Sequence, residues 1–223
     1  MRLCKLFPVA IVAVLILSNT APRALSQDLR VVRDNTIIST ELPKADLTFG
    51  PAFHYAGGQN VNLYGMANAE QHLFVKPGNN GGIDAFCWVQ FEHRVPSDNH
   101  TYHYPADHTT GIGGLEFVYD VKGSPDFASD LKADPASDGA AISRLAERSN
   151  MKFPRRAARI RMFHLPTPDR RSELMIIYGE ALPEDPAVPP PKRGRRFDEG
   201  LSRLCPQAAR RPEESTDNPR KVI

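Results

Sequence analysis

Four of the seven histidines in this chain, His93, His100, His103 and His108, fall within sixteen positions, with Asp98 and Asp107 among them. Zinc needs three or four donors converging at about 2.0–2.2 Å, and His100-x-x-His103 can present two imidazoles from one loop with Asp107 or His108 as a third. The divalent-metal site expected on this ground is His100, His103 and His108. The spacing matches no established ligand pattern, and the competing reading is a polar, hydrogen-bonded loop with incidental histidines.

A second set of reactive side chains lies just upstream. Residues 67–76 and 83–95 flank Pro77-Gly78-Asn79-Asn80-Gly81-Gly82, a run that tolerates positive φ, and a β-hairpin is the natural reading. Setting Phe74 opposite Phe86 places Ala69, Gln71, Leu73, Val75, Cys87, Val89 and Phe91 on one largely apolar face. Glu70, His72, Trp88, Gln90 and Glu92 then share the other, and a slip of one residue would mix the two sets. Paired carboxylates in different environments can divide acid and base roles, while the Trp88 ring can raise a pKa or stack on a sugar or another ring. These five are the candidate ligand-binding residues. On an open sheet they would be an ordinary solvent face.

Other chemistries find less to stand on. There is no Gly-x-Ser-x-Gly elbow, and Cys87 falls on the apolar face, where burial leaves a thiol inert. The glycines from 78 to 82 lead into a strand rather than a helix, so they do not form a phosphate loop. Asn99-His100-Thr101 fits the glycosylation sequon. Arg155, Arg156, Arg159, Arg161, Arg170 and Arg171 form a basic strip on which an acidic ligand could dock; a solvated edge strand is the plainer reading.

The elements that must carry these groups are mostly strands. Short apolar bursts over 29–53, broken by Pro43 and Pro51, have strand-and-turn texture. Residues 96–113 make a long connection, expected to pack over the sheet through Tyr102 and Tyr104. Leu115, Phe117 and Tyr119 alternate with polar or mixed positions, as a half-buried strand does. A helix from Ser137 or Asp138 to about Ser149 buries Ala141, Ile142, Leu145 and Ala146. Residues 157–165 and 172–182 form a second hairpin, and Leu174-Met175-Ile176-Ile177-Tyr178 reads as a central strand covered on both faces. The fold class is mainly β (α+β): an antiparallel sheet of six to eight strands, curled or even barrel-like, with one covering helix. The Pro-rich stretch 183–223 reads as a disordered tail with a short helix over 197–204.

Residues 1–26 have a positive start, an apolar core over 7–17 and a small-x-small site at Ala24-Leu25-Ser26, the parts of a signal peptide. The core is about half the roughly 20 residues a membrane span needs. Removing the leader takes away Arg2, Lys5 and Arg23, leaving 25 basic against 26 acidic side chains. That balance gives no ground for a nucleic-acid partner. Cys87 and Cys205 remain, in a compartment that permits a bridge between them. Residues 27–182 are enough for one β-rich domain with a real core.

Together these features describe a periplasmic or secreted module that binds a small polar or ring-bearing ligand, without an integral membrane span once the leader is removed. Two other readings compete with it. One is a metal-dependent hydrolase or lyase using the His-rich loop with Glu92 as base, the other an envelope interaction protein without a small-molecule site.

Overall fold

A strand made of Leu174-Met175-Ile176-Ile177-Tyr178 exposes apolar side chains on both sides, and the fold covers both. The computed structural model describes residues 29–185 and 207–209. The first strands are β1 (Arg30–Arg33), β2 (Thr36–Ser39), β3 (Ala45–Thr48), β4 (His54–Leu63), β5 (Ala67–Pro77) and β6 (Ile83–Arg94). Then come β7 (Thr109–Ile112), β8 (Leu115–Ser124), the helices α1 (Phe127–Asp130) and α2 (Asp138–Arg148), β9 (Ala157–His164) and β10 (Ser172–Ala181). A three-residue strand, β11 (Gln207–Ala209), pairs with β3.

Seven strands form an antiparallel sheet in the order β4-β5-β6-β10-β9-β8-β7, with β10 at its centre. Its edges β4 and β7 do not pair, so the sheet is not closed into a barrel. The strands β1, β2 and β3 make a smaller antiparallel sheet on one face. Ile37, Ala45 and Leu47 from it join Phe74, Cys87, Val89, Phe91, Ile160, Met162, Leu174 and Ile176 in one core. On the opposite face, Phe127, Leu131, Ile142, Leu145 and Ala146 pack with Leu73, Val75, Phe86, Trp88, Met175 and Ile177 in a second. Among the described residues no helix is long and apolar enough to cross a membrane, which says nothing of strands.

Several turns follow directly from residue type. Ile112 pairs with Leu115 across Gly113 and Gly114, whose φ values of 57° and 78° suit the two-residue hairpin turn that needs positive φ at both positions. The long connection after β6 therefore already contains a strand, β7, before that turn. Ser137 caps α2 by accepting a hydrogen bond from the Ala140 N–H at 3.1 Å, as its position before the apolar stripe implies. Gly179 of β10 leaves room for the Phe86 ring, which would lie 2.2 Å from a Cβ there.

The α2 helix lies mainly over β4 and β5, and shares the helix-side core with Phe127 and Leu131. One expectation needs correction. In the β5–β6 hairpin, Phe74 pairs with Cys87, not Phe86, and Glu92 stands opposite Ala69. Alternation within each strand is as expected, but the shift of one residue exchanges the faces. Glu70 and His72 now lie with Cys87, Val89 and Phe91 beneath the small sheet; Gln71 and Leu73 lie with Trp88, Gln90 and Glu92 beneath the helices. The physical reason is that both strands are interior and buried on both faces, so burial cannot choose the register. The 3₁₀ turn Asn79–Gly81 and the irregularity between Lys76 and Pro77 set it.

The leader, Cys205 and the expected helix over 197–204 lie outside the described residues, as does the Pro-rich stretch apart from 183–185 and β11. Cys87 is buried in the inter-sheet core.

Candidate functional site

Three glutamines mark where the helix-side face turns polar. Gln59, Gln71 and Gln90 stand directly opposite one another on β4, β5 and β6. Gln71 and Gln90 are completely buried, so their amides must find partners within the protein. Arg148 donates to Gln59 Oε1 at 2.5 Å, Gln59 Nε2 to Gln71 Oε1 at 2.7 Å and Gln71 Nε2 to Gln90 Oε1 at 2.9 Å. Gln90 Nε2 then donates to Glu92 Oε2 at 2.7 Å. A guanidinium can only donate and a carboxylate only accept, so the two ends fix the orientation of every amide between them. The spare N–H groups of Gln59 and Gln71 hold the Ala141 and Asp138 carbonyls at 2.8 and 3.1 Å, which ties the start of α2 to the sheet.

The ladder ends at a pair of carboxyls. Glu92 of β6 stands directly opposite Glu173 of β10, at a position where neighbouring side chains begin about 5 Å apart and like charges repel. Tyr102 donates its hydroxyl to Glu92 Oε1 at 2.5 Å, and Tyr104 donates to Glu173. Both tyrosines come from the connection after β6. That connection is held down by Tyr102 N–H to the Arg170 carbonyl at 2.9 Å and by Arg170 Nε to the Tyr102 carbonyl at 2.7 Å. Tyr104 stacks on Phe163 with ring centroids 4.0 Å apart, and Arg94 lies over the Tyr102 ring.

Burial sets the protonation of this cluster. Glu173 is 4% exposed, and burial with the nearby Glu92 and Asp138 charges pushes its pKa up to about 7, against the single hydrogen bond from Tyr104. Burial also raises Glu92, but two donors, Tyr102 and Gln90, resist the shift. Of the two carboxyls, Glu173 is the one that burial pushes further toward its protonated form. Asp138, the first residue of α2, is raised by burial too, although the Gly139 N–H and Arg161 favour its charged form.

Two cavities open on this face and share Asp138, Arg161 and Met175 in their walls. One, of about 400 Å³, holds Glu92, Glu173, Tyr102 and Tyr104 against Leu63, Met66 and Phe163. The other, of about 280 Å³, is lined by Trp88, Arg159, Phe127 and the start of α2. Trp88 is 3% exposed, yet its indole N–H has no acceptor among the described residues, and buried Nη1 of Arg159 has none either. The neighbouring Arg161 is taken by Asp120, through Nε to Oδ1 at 2.9 Å and Nη2 to Oδ2 at 2.5 Å.

The five residues singled out in the hairpin thus divide between faces. Trp88, Gln90 and Glu92 lie on the helix-side face, Glu92 in the carboxyl cavity, Trp88 in its neighbour and Gln90 bonded to Glu92. Glu70 and His72 lie on the other side of the sheet, where Glu70 bonds Arg30 at 2.9 Å and His72 Nε2 at 2.8 Å, and His72 Nδ1 meets the Tyr55 hydroxyl at 3.0 Å. Burial works against the Glu70 charge, but His72 and Arg30 outweigh it and hold the carboxyl below its usual range. A cavity of about 560 Å³ opens there beside Arg30 and Glu70. It is larger and Glu92 borders it too, but its Glu70 carboxylate is already paired with two partners, which makes the helix side the better candidate site.

The histidines of the loop are engaged separately. His100 bonds Asp98 at 2.6 Å, His103 lies 3.1 Å from the Thr101 carbonyl, and His108 packs against Tyr119. Among the described residues no three His, Cys, Asp or Glu side chains are grouped to hold a metal ion, His100, His103 and His108 included. Of the six arginines of the basic strip, Arg159 and Arg161 stay together on the helix-side face of β9, while the other four are engaged separately, Arg170 with the Tyr102 carbonyl. Arg155 pairs with Glu184, Arg156 holds the Pro183 and Asp185 carbonyls, and Arg171 holds the Val95 carbonyl.

Glu173 and Gln59 carried no signal of their own in the sequence. The available clue was the register, since pairing Glu92 with its β10 neighbour would have brought Glu173 into view. No family model, no curated protein and no solved structure matches this chain.

Proposed function

We propose that this chain is an exported small-ligand-binding module whose pocket lies between the seven-stranded sheet and its helices. The observation that carries the reading is the Glu92–Glu173 pair, Glu173 buried and Glu92 half-buried beneath Tyr102 and Tyr104, in a cavity whose wall combines Leu63, Met66, Phe163 and Met175 with Arg94 and Arg161. A few fixed polar groups within an apolar concavity are what holds a small molecule in one orientation. The connection bearing the tyrosines closes the pocket, and its hydrogen bonds to the carboxyls are those a ligand would compete for.

A thermal-shift screen of amines, amino acids, sugars and aromatic acids at pH 7 tests the reading. At least one class should stabilise the protein, and Glu92→Gln or Tyr104→Phe should reduce that stabilisation by half or more. The reading fails if no class stabilises it, or if both variants respond as the parent does.

Acid–base catalysis in the same pocket is a second reading, favoured by one observation: Glu173 titrates about 7 beside a carboxyl with more donors. Turnover of a ligand found in the screen, abolished by Glu173→Gln while binding persists, would select it over simple binding.

A further inference from the structure

The two helix-side cavities differ in hydrogen-bonding character. At one end Glu92 and Glu173, with Asp138 shared between the cavities, offer acceptors, and Nε of Arg94 is a single buried donor without an acceptor among the described residues. At the other, the indole N–H of Trp88 and Nη1 of Arg159 are buried donors without an acceptor among the described residues. A buried donor left unmade is costly, and such groups in a native structure call for an explanation. Arg161, which can only donate, is itself taken by Asp120.

We propose that the two adjoining cavities together take a molecule that carries a carboxylate and, several bonds away, a cation, the chemistry of a basic amino acid. Its cationic nitrogen sits among Glu92, Glu173 and Asp138, and its carboxylate sits at the Trp88 indole N–H and the Arg159 guanidinium. The inference rests on the reading of this face as a ligand pocket and names the class of ligand.

The charges around each end exclude simpler molecules. Asp130, Asp134 and Asp138 line the donor end, so a bare anion would meet three carboxyls there, whereas an amino acid brings an α-ammonium to them beside its carboxylate. Asp134 already accepts from the Tyr64 hydroxyl at 2.6 Å and Asp130 from Ser124, so both are held in place. Arg94 and Arg161 border the acidic end, which disfavours a polyamine with no negative charge of its own. A molecule bearing both charges satisfies both ends.

Length narrows the class further. Trp88 and Glu92 are four residues apart on one strand, about 13 Å between their backbones. A short α-amino acid, with both charges on one carbon, cannot engage both ends. Arginine and lysine carry a side-chain cation at the end of a flexible chain and can. The Tyr104–Phe163 stack and Met175 supply apolar surface for the methylenes between, and aromatic rings beside a carboxylate suit a guanidinium or ammonium.

Isothermal titration calorimetry on the full chain separates the possibilities. The probes are L-arginine and L-lysine against agmatine and cadaverine, which keep the cation and lack the carboxylate. The amino acids should bind at least tenfold more tightly than their amines. Trp88→Phe and Arg159→Gln should each remove that advantage, so that amino acid and amine bind alike, and Glu173→Gln should weaken both kinds of probe. Equal affinity for arginine and agmatine overturns the proposal, as does undiminished arginine binding in both Trp88→Phe and Arg159→Gln. If neither amino acid binds while the broader screen yields another class, the zwitterion falls and the pocket stands; if nothing binds in either experiment, both fall.

Discussion

Glu92 and Glu173 occupy directly opposed positions on adjacent interior strands, each held by the hydroxyl of a different tyrosine from one loop. Such a pairing works against stability, because two carboxyls are brought together and removed from water. A sheet selected for stability alone would place an apolar pair here, as it does at the Val89–Ile176 position one face over. The cost points to function.

Stability should fall as pH rises through this cluster. The folded Glu173 has a pKa of about 7 against 4.5 for the free side chain, so between those values the folded state holds a proton that the unfolded state has lost. The linkage sign then makes unfolding easier with rising pH, by on the order of 3 kcal/mol across the window. Glu92 and Asp138, both raised, act in the same direction. Urea denaturation from pH 4.5 to 8 should show this slope, and Glu173→Gln should flatten most of it. A slope of the opposite sign would contradict the placement of the proton.

The two faces of the hairpin should respond separately. Arg30 is nearly buried, lies over the Phe91 ring at 3.9 Å and bonds Glu70, so Glu70→Gln strands a charge and should cost about 2 kcal/mol. Because Glu70 lies beneath the small sheet, that variant should leave ligand affinity at the helix-side pocket unchanged. Glu92→Gln should do the reverse, weakening binding tenfold or more with little loss of stability. Chemical denaturation and calorimetry on both variants check the pair; an affinity loss in Glu70→Gln would mean the five residues act as one site.

Much of the architecture was legible in the sequence, and what was missed has one cause. The helix cap at Ser137, the hairpin of β9 and β10 and the doubly covered central strand followed from residue type and periodicity. The β5–β6 register did not. A single buried face would select it, but Phe74 and Leu73 are both fully buried, on opposite sides of the sheet. That error put Glu70 and His72 beside Trp88 and hid Glu173 altogether, because a site assembled across three strands leaves no local spacing to find. The histidines attracted notice by number, but the tyrosines between them reach the carboxyls.

The cap of α2 should matter twice. Ser137→Ala removes the acceptor for the Ala140 N–H and should cost about 1 kcal/mol of stability. The same turn carries Asp138 into both cavities, so affinity for the pocket's ligand should fall by several-fold as well. Thermal melts and a binding titration on the one variant measure both effects, and a stability loss with unchanged affinity would remove Asp138 from the site.

Trp88 is the one tryptophan of the chain and stands in the wall of the proposed pocket, so its fluorescence reports directly on occupancy. Titrating the protein with L-arginine at pH 7 while recording that emission should give a saturable change, at least tenfold weaker in Glu173→Gln. A linear or absent response to arginine, lysine and every class in the thermal-shift screen would contradict the claim that this face binds a small molecule.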